Sequence, residues 1–111
     1  MNDILKKHFV ETILFTRNVT GFLSDDEYTA LQWFLLENPD AGDVIKNTGG
    51  ARKLRWRKKG QGKRGGFRTI YFYHSVENTF WMLTIYSKRD KEDLSETDKK
   101  IAAKLIEEIK K

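Results

Sequence analysis

Apolar residues fall along this chain in two rhythms, one of strands and one of helices. Residues 9–15 (FVETILF) begin and end on phenylalanine and carry β-branched Val10, Thr12 and Ile13, which predicts a first strand. The rhythm changes at Ser24. A serine with glutamate three positions on, here Ser24 and Glu27, is the pattern of a capping box, in which each side chain serves the other's backbone N–H at a helix start. Tyr28, Leu31, Phe34 and Leu35 then recur at helical spacing. Trp33 and Phe34 are expected to pack this helix on a sheet. Pro39 stops it, because proline restricts Asn38 before it and has no N–H to donate. Residues 40–50 read as a loop held to the core by Val44 and Ile45, with Gly49 and Gly50 giving freedom before the next element.

Three strands should follow. Residues 51–57 alternate around Leu54 and Trp56, and residues 67–73 are dense in aromatic and β-branched side chains. Residues 79–86 (TFWMLTIY) form the most apolar run and suit a central strand. A glycine-rich hairpin loop, residues 58–66, joins the first two, and a short turn, residues 74–78, joins the last two. Ser95 starts a final helix, where Ile101, Leu105 and Ile109, flanked by Ala102 and Ile106, draw an apolar stripe. The order β-α-β-β-β-α predicts one α+β domain over residues 1–111. Its antiparallel sheet has about four strands, with helices packed on one face.

Composition narrows the function. A chain of 111 residues suits a single domain with one modest core. It has no cysteine, which excludes disulfides, thiolate metal sites and cysteine nucleophiles and agrees with a reducing, cytoplasmic setting. No apolar run approaches the roughly 20 residues of a membrane helix, and charges interrupt the N-terminal stretch, so neither a span nor a signal peptide is expected. The net charge is +5. Its distribution is uneven. Arg52, Lys53, Arg55, Arg57, Lys58, Lys59, Lys63, Arg64 and Arg68 put nine cations and no anion into seventeen residues. That leaves 12 of the 21 basic residues against all 16 acidic ones elsewhere. One basic segment on an acidic body points to an oriented polyanion partner.

Few chemistries suit the remaining residues. His8 and His74 are far apart and no metal-ligand spacing is present, so neither metal nor organic cofactor is expected. The glycines near residues 60–66 sit in a hairpin and precede no helix, which excludes a P-loop. Strand alternation, by contrast, puts Lys53, Arg55 and Arg57 on one face, opposite Leu54 and Trp56. Arg68 opens the next strand, and Lys88 and Arg89 follow the third. Antiparallel pairing would collect these cations into one cleft able to grip phosphates. RNA brings its own nucleophile, the 2′-hydroxyl. Guanidinium groups stabilise the phosphorane charge, and a lysine crowded by cations can act as general base. A cleft of this kind cleaves RNA or only binds it; the cations serve both.

Several motifs carry a resemblance in order. They are Asn38 and Pro39, residues 42–45 (GDVI), residues 48–55 (TGGARKLR), residues 60–71 (GQGKRGGFRTIY), residues 83–88 (LTIYSK), and Asp93 with Leu94 before a final helix. From about residue 9 onward the chain resembles the RelE/HigB toxins of bacterial toxin–antitoxin systems, the HigB subgroup above all. The resemblance implies a microbial-ribonuclease-like α+β fold and metal-independent cleavage of mRNA in the ribosomal A site. As partners it implies the 70S ribosome and a cognate helix-turn-helix antitoxin, with operator DNA reached only through the antitoxin. The family's catalytic basic positions fall on Lys53, Arg55, Arg68 and Arg89, or on Lys88 in place of Arg89 if the register slips by one. Arg57, Lys58, Lys59, Lys63, Arg64 and Lys88 become contacts to RNA backbone. Some members carry a base-stacking tyrosine near the place of Leu94 and Ser95, where this chain has none. Tyr71, Tyr73 and Tyr86 are the candidates to supply an aromatic surface instead.

Two other readings remain at this stage. The ParE branch of the superfamily poisons DNA gyrase on a similar fold, but generally lacks the set Lys53, Arg55, Arg68 and Arg89. A non-catalytic RNA- or antitoxin-binding module would use the same cations for grip alone.

Overall fold

The computed structural model describes residues 9–56, 66–91 and 93–111. Strand β1 is short, Phe9–Glu11, and turns directly into helix α1, Ile13–Val19. This corrects the expected strand over residues 9–15. The reason is Thr12, whose Oγ1 accepts the Phe15 N–H at 3.1 Å as a helix cap and donates to the Leu83 carbonyl at 2.7 Å. Helix α2, Asp25–Glu37, starts as predicted. Ser24 N–H donates to Glu27 Oε1 at 2.8 Å, and Glu27 N–H to Ser24 Oγ at 3.2 Å.

The loop expected over residues 40–50 contains a two-residue strand, β2, Asp43–Val44. Val44 is exposed there, not an anchor; Ile45 alone packs on the core. Strands β3 (Arg52–Trp56), β4 (Phe67–His74) and β5 (Thr79–Ser87) lie where expected, and helix α3 spans Glu96–Ile109 behind the Ser95 cap. A 3-10 turn, Ser75–Glu77, joins β4 to β5.

The five strands form one sheet in the order β1-β5-β4-β3-β2. All pairs are antiparallel except β1 with β5, which run parallel. The α+β class stands, with a mixed five-stranded sheet in place of the four antiparallel strands expected.

The helices do not share one face. Leu54, Phe67 and Tyr71 join Phe15 of α1 and Leu31 and Leu35 of α2 in one core cluster. Ile70, Phe72, Leu83 and Tyr86 join Ala102 and Ile106 of α3 in a second. Alternation along β4 puts these clusters on opposite faces, so α3 covers the side that α1 and α2 leave. A bulge explains why residues 79–86 look uniformly apolar. Ile70 pairs with Thr84 but Tyr71 with Met82, so Leu83 is the extra residue on β5. Past it the phase flips, and Met82 and Ile85 both reach the first cluster while Leu83 and Tyr86 both reach the second.

Two other expectations hold in part. Trp33 is exposed, whereas Phe34 contacts the sheet, its ring 5.1 Å from that of Trp56. On α3 Leu105 and Ile109 pack against the second cluster beside buried Ala102 and Ile106, while Ile101 is exposed. Among the described residues no helix is long and apolar enough to cross a membrane.

Candidate functional site

Strand register decides which cations meet. Arg55 on β3 pairs with Arg68 on β4, and Arg68 pairs with Tyr86 on β5. Side chains directly opposite in such pairs share a face, about 5 Å apart at Cβ. Lys53 sits two residues before Arg55 on that face, opposite Ile70. Lys53, Arg55, Arg68 and Tyr86 thus lie on the α3 side of the sheet, three strands deep.

Burial differs along the row. Arg68 is 5% exposed and forms its floor, whereas Arg55 is open to solvent. Lys88 and Arg89 are exposed in the turn after β5, and the Lys88 N–H donates to Gly66 O at 3.4 Å. That bond ties the turn to the start of β4, so Arg89 and Lys88 stand at the same end of the sheet as Arg68 and Arg55. Arg57, Lys58, Lys59, Lys63 and Arg64 lie outside the described residues.

Arg52 belongs to the basic run but not to this face. Its guanidinium donates to Gly42 O at 2.7 Å and Asp40 O at 3.2 Å, and approaches the Asp40 carboxylate at 3.5 Å. It braces the loop before β2.

An anion stands among the cations. Asp93, just before α3, accepts from Lys53 Nζ at 2.5 Å. The hydrogen bond and charge of Lys53 hold the Asp93 carboxyl below its usual range, and Lys99 and Arg55 add to the effect. The crowding of like charges expected around Lys53 is therefore interrupted by a carboxylate. Sequence reasoning does not single out Lys91, whose ammonium lies 4.8 Å from the centre of the Tyr86 ring and 3.3 Å from Asp98 Oδ2. Asp93 enters the sequence reading only as a motif residue before the last helix; it is forty positions from Lys53, and their pairing comes only from the fold.

The three tyrosines fare differently. Tyr71 is fully buried on the opposite face, so it offers no surface to a base. Its hydroxyl donates to Pro39 O at 2.8 Å and accepts the Gly42 N–H at 3.0 Å, and burial pushes its ionisation upward. Tyr73 lies on that same face, its hydroxyl donating to Asn78 Oδ1 at 2.7 Å. Only Tyr86 is on the cationic face; it is 5% exposed, with Lys91 over its ring. His74 ends β4 at the far end of the sheet from Arg68, stacked on Phe72. Among the described residues no three His, Asp or Glu side chains converge as a metal's ligands would.

This arrangement can bind a chain of phosphates along one sheet end and stabilise added negative charge on one of them. A family model described as the RelE toxin of the RelE/RelB toxin–antitoxin system matches residues 40–111. The fold is also similar to that of solved structures. One is the intact RelBE toxin–antitoxin complex of E. coli, with TM-score 0.53 and 11% identity over 73% of this chain and 95% of the other. Another is the E. coli toxin RelE, doubly arginine-substituted and in the free state, with TM-score 0.51 and 13% identity over 78% of this chain and 87% of the other.

Proposed function

The chain belongs to the RelE family of toxins from toxin–antitoxin systems, and from that premise we propose that it is a ribosome-dependent endoribonuclease of the HigB type, cutting mRNA in the A site. The observation that carries this reading is the cross-strand row Arg55–Arg68, with Lys53 on the same face and Arg89 at the same sheet end. In the proposed reaction the 2′-oxygen attacks the adjacent phosphorus and the bond to the 5′-oxygen breaks. The products are a 2′,3′-cyclic phosphate and a 5′-hydroxyl. Arg68, held in place by burial, and Arg55, free to follow the substrate, supply paired N–H donors to the phosphorane oxygens. Lys53, an ammonium in its pair with Asp93, donates the proton that the departing 5′-oxygen takes up, the 2′-hydroxyl proton leaves to water, and Arg89 and Lys88 neutralise flanking phosphates.

A row of cations binds phosphate and stabilises charge but does not by itself align the 2′-oxygen with phosphorus. Substrate positioning is then the missing factor, and the ribosome supplies it. The cognate partner is an antitoxin protein, as in the RelBE complex that this fold resembles. Cleavage mapping of a reporter mRNA in a purified translation system tests the reading. Cuts at codon-phased positions, only with translating ribosomes, are expected. Unimpaired translation and no cuts in either arm would sink it, and the cationic face would then be a docking surface.

A further inference from the structure

The Lys53–Asp93 pair is costly to explain as stability. The Asp93 side chain is 66% exposed, and exposed ion pairs contribute little to folding. It does have a consequence for binding. Lys53 is the more enclosed partner, its side chain 17% exposed, and its ammonium is aimed at an oxygen anion that the chain itself provides. That anion also lies in the field of Arg55 and Lys99. The carboxylate presents Lys53 with a charged oxygen acceptor, as a phosphodiester does.

We infer that Asp93 is an internal counter-anion that fills the phosphate position of the cationic face, so that an RNA phosphodiester binds by taking its place on Lys53. The inference rests on reading that face as a phosphate cleft. Two anions cannot share Lys53 without repulsion, so bound phosphate and the Lys53–Asp93 pair exclude each other. The free toxin is thereby weakly disposed toward stray RNA. A substrate held in place by other contacts, as mRNA on the ribosome is, offsets the cost of displacing Asp93. Asp93 is a positioning residue here: it acts through Lys53.

The test is binding of a trinucleotide with a 2′-deoxy central sugar, which cannot be cut, to the free full-length protein at low salt. Asp93→Asn should bind about tenfold tighter than the parent. In a Lys53→Ala background the same substitution should leave affinity unchanged, since the effect passes through Lys53. The Asp93 carboxyl carbon, followed by NMR, should shift toward the unpaired value as the trinucleotide saturates the parent protein. A uniform tightening in both backgrounds would reflect net charge alone and overturn the inference. If Asp93→Asn binds no tighter while Arg55→Ala and Arg68→Ala weaken binding, the cleft reading stands and the inference falls. If the arginine variants bind as the parent does, both fall.

Discussion

Arg55 and Arg68 are matched in register but unequal in access to water, and this difference assigns them different risks under mutation. Arg68→Ala should lower the cleavage rate on translated mRNA by about 10²- to 10³-fold, the usual loss when one transition-state donor is removed. Circular dichroism must show the fold intact; full activity in that variant would end the assignment. Tyr71 gives the opposite contrast, a residue whose polar group serves structure. Tyr71→Phe leaves Pro39 O and Gly42 N–H without their shared partner and should cost about 1–3 kcal/mol in urea denaturation, with no direct effect on chemistry. Asp93 predicts a pH dependence. Its carboxyl is held down in the folded state, so its contribution is present above the unfolded value and lost as pH falls through the folded one. The difference in denaturation midpoint between the parent and Asp93→Asn is expected to be small, because the pair is exposed, to shrink as pH falls below the ordinary carboxylate range, and to shrink at any pH in high salt.

At the scale of elements, local signals read well and tertiary ones did not. The capping box at Ser24, the proline stop, the three central strands and the Ser95 helix start are each written within a few adjacent residues. The strand expected over residues 9–15 failed because β-branched content says nothing of Thr12 acting as a cap and reaching Leu83. The flanking of the sheet by helices on both sides was hidden by the bulge at Leu83, which erases alternation from β5 and makes a two-faced strand look one-faced. The site was legible to a similar depth. Alternation puts Lys53 and Arg55 on one face and the resemblance adds Arg68, whereas the pairing of Asp93 with Lys53 and the place of Lys91 over Tyr86 need the fold. The stripe on α3 offers a direct check of burial. Ile106→Ala should destabilise by about 2–5 kcal/mol, while Ile101→Ala, on the exposed side, should stay within about 0.5 kcal/mol by thermal melting.

Across the whole molecule, one basic segment sits on a body with a net excess of acid, so association with RNA should be oriented and strongly salt-dependent. The logarithm of ribosome affinity should fall linearly with the logarithm of salt concentration, and each cation removed from the row should flatten the slope by roughly one phosphate contact. A slope near zero would argue against a phosphate-reading surface. The short outer strands give the arginine row a second duty. Strand β2 covers β3 only at Arg52 and Lys53, and among the described residues no strand pairs with the outer side of β3 from Leu54 to Trp56. Such uncovered backbone is a template on which a second chain can grow a sheet, and a charged side chain there discourages the encounter. Arg55 stands in that stretch. In the proposed reading Arg55 grips phosphate and, at this open edge, also discourages pairing between copies of the chain; Arg55→Ala is expected to precipitate more readily than the parent, which light scattering at rising concentration checks.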